Sequence, residues 1–200
     1  LQTKLKRSIS SPKPSINNES LLEGIGIINE RADSLSGFIA SYSQLSHLPK
    51  PNLSHFNLHE ILNNTLGLFP NCQIKINVEM GIMIKADKNQ FEQVLINLFK
   101  NAVEAMVNCP EKNIIVSYSR EPKWQNISIV DNGSGIANVE NLFVPFYTTK
   151  IKGSGIGLAL CRQIMFNHNG LIKLRNKQDN ILNSKNEDMG VEAILSFPTE

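Results

Sequence analysis

Three short stretches of this 200-residue chain hold residue types at spacings that could do chemistry. In Asp131-Asn132-Gly133-Ser134-Gly135-Ile136 a carboxylate directly follows the apolar run Ile127–Val130. A carboxylate at a strand end can accept a hydrogen bond from an exocyclic amine, and glycines let a flat base approach the backbone; the same residues also make a good turn. In Lys150-Ile151-Lys152-Gly153-Ser154-Gly155-Ile156-Gly157-Leu158 glycines lead into a helix. Backbone N–H groups exposed there, with the helix dipole behind them, suit a phosphate, and Lys150 and Lys152 could add mobile cations. No Gly-Lys-Ser/Thr follows and G-x-G-x-G is not the dinucleotide spacing, so a phosphate site and a flexible loop both stay open. In Asn97-Leu98-Phe99-Lys100-Asn101-Ala102 two carboxamides share one helical face, and if buried they need polar partners. With 24 asparagines in 200 residues such a pair arises by chance, and the excess reads as compositional bias.

These stretches need elements to position them. The long helix from Asn89 to Met106 turns Phe91, Val94, Leu95, Leu98, Ala102 and Ala105 to one side. Ahead of it, Leu58 to Phe69 reads as a helix, Gln73 to Glu79 as a strand and Ile82 to Lys85 as a short strand. Strands follow at Ile114–Ser119 and Ile127–Val130, then a glycine-rich loop region from Asp131 to Ser154. A helix from Gly157 to Asn167 comes next, and closing strands at Ile172–Arg175 and Glu192–Phe197 complete the pattern. Helices and strands without strict βαβ alternation indicate an α+β sandwich, one mixed sheet covered by helices. Upstream, Leu21, Ile25, Ile28, Ala32, Leu35, Ile39 and Tyr42 recur at steps of four and three, the a/d seam of a bundle helix over residues 20–48. That stripe needs a hairpin partner, a dimer mate or both. Residues 1 to 10 read as the end of another helix, broken by the prolines at 12 and 14. Pro49-Lys50-Pro51 then divides a helical segment, 1–50, from a globular domain, 51–200.

The composition sets limits. With 41% hydrophobic residues the chain can bury a core, and a formal charge of +2 gives no footprint for nucleic acid or anionic lipid. Cys72, Cys109 and Cys161 form no C-x-x-C pair, which suits a reducing cytosol. No apolar run approaches the ~20 residues needed to span a bilayer, and Leu1-Gln2-Thr3-Lys4 is not a signal peptide. The expected setting is cytoplasmic, with no direct membrane contact.

Taken in order, Asn97/Asn101, Asp131-x-Gly133-x-Gly135, Phe143-x-x-Phe146 and Gly153-x-Gly155-x-Gly157 resemble the ATP-binding domain shared by sensor histidine kinases, gyrase and mismatch-repair ATPases. The resemblance runs from about Phe56 to Pro198. Gln93-Val94-Leu95-Ile96-Asn97-Leu98-Phe99-Lys100-Asn101-Ala102-Val103-Glu104-Ala105 and Phe143-Val144-Pro145-Phe146-Tyr147-Thr148-Thr149-Lys150 look most like kinases of the nitrogen-regulation type. The resemblance implies a Bergerat-type fold using ATP and Mg2+. Asn101 would bind the metal with Asn97 in support, Asp131 would read the adenine amine, and Gly133 and Gly135 would make room. Lys150 would touch the terminal phosphates, with the amides of Gly155, Gly157 and Leu158 around them. Glu104, Ala105, Ile136, Phe146, Thr149, Gly153, Ser154 and Ile156 complete the implied contact set, with Glu104 either joining the Mg2+ or water shell or simply solvated.

Hydrolytic relatives place a glutamate where this chain has Asn97, and an amide takes no proton at neutral pH. The resemblance therefore implies transfer to a histidine and then to an aspartate of a response-regulator receiver domain, in a homodimer built on the 20–48 helix. His59-Glu60-Ile61-Leu62-Asn63 imitates the acceptor motif, but Asn64 stands where that motif has proline. It also follows the heptad helix, where the family has an amphipathic helix opening the catalytic domain. The acceptor is accordingly expected N-terminal to Leu1, and residues 1–200 alone are expected not to autophosphorylate. His168 is expected to cap its helix or face solvent. Two rival readings are an ATP hydrolase driving conformational change and a nucleotide-sensing scaffold.

Overall fold

The computed structural model describes residues 18–150, 153–177 and 190–199. The helix expected over residues 1–10 and the side chain of Lys152 lie outside them. The chain divides into two compact units, Leu1–Ala40 and Ser41–Glu200.

Helix α1, Asn18–Ser46, carries the predicted seam. Leu21, Ile25, Ile28, Leu35, Ile39 and Tyr42 are 45–67% exposed. Gly24, Gly26 and Gly37 lie inside the helix, and each weakens it by about 0.8–1.0 kcal/mol relative to alanine. A helix so composed gains its stability from packing against an apolar partner rather than from propensity.

The second unit holds β1 (Ser54–Asn57), α2 (Leu58–Leu66), β2 (Gln73–Asn77), β3 (Met83–Ala86), α3 (Lys88–Ala105), β4 (Asn113–Arg120) and β5 (Trp124–Asp131). It ends with α4 (Gly157–Asn167), β6 (Leu171–Asn176) and β7 (Val191–Pro198). Five strands form a mixed sheet in the order β2-β4-β5-β7-β6. Only β2 and β4 run parallel; the other neighbours are antiparallel. The α+β reading holds, with one difference: β3 leaves the main sheet and pairs with β1 in a two-stranded ribbon, Phe56 opposite Ile84. Ser54-His55-Phe56-Asn57 offers one apolar residue in four, too little alternation to read as a strand.

The period-two pattern of the central strands fixes which face is dry. On β5, Gln125, Ile127, Ile129 and Asp131 point inward; on β7, Val191, Ala193, Leu195 and Phe197 do the same. Register sets Ile127 opposite Leu195 and Ile129 opposite Ala193. Helices α3 and α4 cover this face with Phe91, Val94, Leu95, Leu98 and Phe99 and with Leu160, Cys161, Ile164 and Met165. Each such side chain contributes about 1.5–3 kcal/mol on burial. Phe91 joins the ribbon to the sheet, its ring 5.7 Å from Phe56 and 5.5 Å from Phe197.

Local caps set the helix starts. Asn57 Oδ1 accepts from the N–H groups of His59 and Glu60, opening α2. Asp87 Oδ1 accepts from Asn89 and Gln90, opening α3, while its Oδ2 accepts from Asn52. His168 closes α4 and is buried, which removes the solvent alternative. Its Nε2 accepts from the Asp87 N–H at 2.9 Å and its Nδ1 meets Ile164 O at 2.8 Å, so the end of one site helix is tied to the start of the other.

Candidate functional site

Helix α3 is the common element. Its apolar stripe fixes its rotation on the sheet, and that rotation turns Asn97, Asn101, Glu104 and Ala105 toward three loops.

The first loop follows β5. Strand alternation puts Asp131 on the inward face, and its residue is only 8% exposed. Oδ1 accepts from Gly133 N–H at 2.8 Å and Val191 N–H at 3.3 Å. Among the described residues Oδ2 accepts none, which leaves it for an incoming donor. Burial pushes the Asp131 carboxyl above the ordinary carboxylate range, and the two N–H groups only partly offset this. The loop is pressed onto α3: a Cβ on Gly133 would lie 2.8 Å from Ala105 Cβ, and Ser134 N–H donates to Ala105 O at 3.2 Å. Gly135 adopts φ +76°, open to glycine at little strain.

The second contact is at Asn97. Its Nδ2 donates to Gln93 O at 3.0 Å. Its Oδ1 lies 3.0 Å from where a Gly157 Cβ would stand, so α4 begins directly against this amide. No side chain caps the first turn of α4 at Ile156, and its N–H groups are free of intrahelical partners. The Ile156 side chain is buried in the core, leaving its backbone for any ligand. Gly155 has φ +67°, and a Cβ there would meet the Phe146 carbonyl carbon at 2.5 Å. Phe146, itself at φ 68°, donates its N–H to Gly155 O at 2.9 Å. The phenylalanine motif and the triple-glycine motif are thus one interlocked piece of backbone, and Tyr42 stacks 6.3 Å from the Phe146 ring.

The third contact is Lys150. Its Nζ donates to Asn101 Oδ1 at 2.9 Å and pairs with the Glu104 carboxylate. Glu104 is exposed and carries this ion pair on the solvent side of α3. Thr149 and Ser154 are exposed in the same segment. An amide oxygen beside a carboxylate offers hard oxygen donors of the kind magnesium takes.

Sequence reasoning passed over four contributors. Asn132 Oδ1 accepts from Asn113 N–H and its Nδ2 donates to Glu111 O, both at 2.9 Å, pinning the loop from behind. Cys109 Sγ adds a bond to Asn132 O at 3.2 Å. Asn176 clasps Ile136 through both backbone groups, at 2.6 and 3.0 Å. Arg162 of α4 lies 5.4 Å over the Phe143 ring. No local signal could separate Asn132 and Asn176 from the other asparagines. A separate cavity of about 470 Å³ lies behind the loop, lined by Cys72 and Cys109 among others; Asn97, Asn101, Asp131 and Lys150 are not in its lining.

His59 stays on α2, its Nδ1 2.8 Å from Asn63 Nδ2. Among the described residues no helix is long and apolar enough to cross a membrane.

Residues 86–200 match the family described as histidine kinase-, DNA gyrase B-, and HSP90-like ATPase. The chain is 33% identical to sporulation kinase C of Bacillus subtilis over 68% of its own length and 34% of that protein's. It is 30% identical to nitrogen regulation protein NtrY of Azorhizobium caulinodans, over 78% and 21% respectively. The chain thus spans about a third or less of the length of these curated relatives. Among solved structures it resembles the catalytic domain of histidine kinase ThkA, with a TM-score of 0.62 and 29% identity over 74% of this chain and 95% of that one.

Proposed function

The chain belongs to the histidine kinase-, DNA gyrase B- and HSP90-like ATPase family, and we propose that it supplies the ATP-binding catalytic part of a sensor histidine kinase. The observation that carries the reading is the convergence of three loops on one helix, through Ala105, Asn97 and the Asn101–Glu104 pair. In this reading Asp131 Oδ2 accepts from the adenine amine while Gly133 and Gly135 keep the base plane clear. Asn101 and Glu104 are the residues that would hold Mg2+, which when bound neutralises phosphate charge. The N–H groups of Gly155, Gly157 and Leu158 donate to phosphate oxygens, and Lys150 is the mobile cation within reach of the same region. Catalysis of phosphoryl transfer is then mainly positioning and charge stabilisation.

Asn97 decides against water as the acceptor. Its amide nitrogen is committed to Gln93 O, and its oxygen is no base at neutral pH. The phosphoryl group is reserved for a histidine of the dimerisation hairpin and then for an aspartate of a response regulator. The exposed seam of α1 is the surface that the paired hairpin would cover.

The test is direct. Mg-ATP should raise the melting temperature of residues 1–200, and labelled ATP should leave no acid-labile label on them. A longer chain carrying the upstream helix should be labelled. Absence of any nucleotide effect on melting overturns the binding reading; stable label on residues 1–200 overturns the placement of the acceptor.

A further inference from the structure

Lys150 occupies a demanding position. Its backbone is set by the Thr148 hydroxyl, which accepts the Lys150 N–H at 3.1 Å, and by Gly153, whose N–H donates to Lys150 O at 3.2 Å. A Cβ on Gly153 would meet Thr148 Oγ1 at 2.5 Å, so a larger residue there would displace the hydroxyl that holds the Lys150 N–H. The side chain then reaches α3 and places its ammonium on two hard oxygen donors, Asn101 Oδ1 and the Glu104 carboxylate. An ammonium and a magnesium ion both seek hard oxygen donors, and one oxygen pair holds both only against the repulsion between two cations a few ångströms apart.

We infer that Lys150 and the divalent cation exchange at this pair: Glu104 and Asn101 hold the lysine until metal displaces it, which frees the ammonium toward the phosphates. The inference rests on the nucleotide reading above and goes beyond it, because it makes Glu104 the residue that couples metal entry to lysine delivery. The exchange is easy in energetic terms. The Lys150 and Glu104 side chains are 44% and 39% exposed, and pairs at such exposure shift an equilibrium by no more than about fivefold. A deeply buried pair would lock the lysine in place; this one yields to a doubly charged ion. Coupling of this kind is reciprocal: whatever draws Lys150 away favours metal, and metal favours the release of Lys150.

The experiment titrates residues 1–200 with Mn2+ alone, without nucleotide, following free Mn2+ by electron paramagnetic resonance. Lys150→Met should tighten Mn2+ by about fivefold, the gain expected from removing a competing exposed cation. Glu104→Gln should weaken Mn2+, and adding Lys150→Met to Glu104→Gln should bring no further gain. Amine acylation of Lys150, read by mass spectrometry, should speed up on adding Mg2+ alone. Equal Mn2+ affinity in the wild type and Lys150→Met overturns the exchange, as does an undiminished Lys150→Met effect in the Glu104→Gln background. A fluorescent ATP analogue supplied with Mg2+ reports the base pocket separately. Its binding with no lysine effect on Mn2+ refutes the exchange alone, whereas its failure to bind refutes the nucleotide reading beneath it.

Discussion

Asp131→Asn separates binding from stability at a single atom. Among the described residues nothing donates to Oδ2 of the buried carboxylate, and the amide variant would present an N–H2 group to the adenine amine instead. A hydrogen bond to a charged group contributes about 1.5–3 kcal/mol, so affinity should fall roughly 10- to 150-fold. Wild type at 100 times its dissociation constant gains about 2.7 kcal/mol from ligand. For a domain near 150 residues that is a melting shift of about 5–11 °C. At the same ATP concentration the variant should retain only about 0.3–1.3 kcal/mol, or ~1–5 °C. Without ligand the order reverses. Burial raises the Asp131 carboxyl above its unfolded value, so its favourable contribution exists below the unfolded range and is lost as pH rises through the folded one. The uncharged amide escapes that loss. The ligand-free variant should match wild type at the acid end and exceed it progressively toward neutral pH, as read by calorimetry across pH. A variant that keeps the full ATP shift, or whose stability advantage does not change with pH, refutes the assignment of Asp131.

Other perturbations address the supporting elements. Gly155→Ala must abandon φ +67° and clear the Phe146 carbonyl; nucleotide response should be lost, and urea unfolding should show a loss of about 1–3 kcal/mol from the backbone strain, with the clash adding to it. Asp87→Ala should cost about 0.5–2 kcal/mol through the lost α3 cap. Burial by itself would raise the Asp87 carboxyl, but N–H bonds from Gln90, Asn52 and Asn89 outweigh it and hold it below the ordinary range. Its stabilisation is therefore present above the unfolded carboxylate range and fades as pH falls through the folded one, so the Asp87→Ala deficit should shrink in acid. Asn97→Glu places a base beside Gly157, and steady phosphate release, negligible in wild type, should appear in a coupled assay.

Legibility in the sequence followed the range of the signal. Period-two alternation on β5 and the 3.6-residue stripe on α3 are local, and together they place Asp131 inward and turn Asn97 and Asn101 to the loops. β1 escaped because one phenylalanine among Ser54, His55 and Asn57 carries no alternation; only its pairing with Ile84 in β3 makes it a strand. Asn132 and Asn176 escaped for the opposite reason. Their side chains hold backbone groups far away in sequence, and asparagine says nothing locally about such partners. The Arg162–Phe143 contact and the Lys150–Glu104 pair depend on how a loop lies over two helices, which no spacing encodes.

The positions on α3 also explain why these loops work as one site. At 1.5 Å per residue, Asn97 and Ala105 stand about 12 Å apart along the helix. Gly157 meets one end and Gly133 the other, with Lys150 between them on Asn101 and Glu104. Spacing between the Gly133 loop and the glycine start of α4 is therefore set by α3, whose apolar stripe is buried in the core. His168 extends that control: its ring fixes the end of α4 to the Asp87 cap of α3, so the helix that presents the glycines and the helix that presents the amides share one hydrogen-bonded anchor. A loop substitution should then disturb one contact at a time, whereas a fault at the anchor should shift the amides and the glycines together.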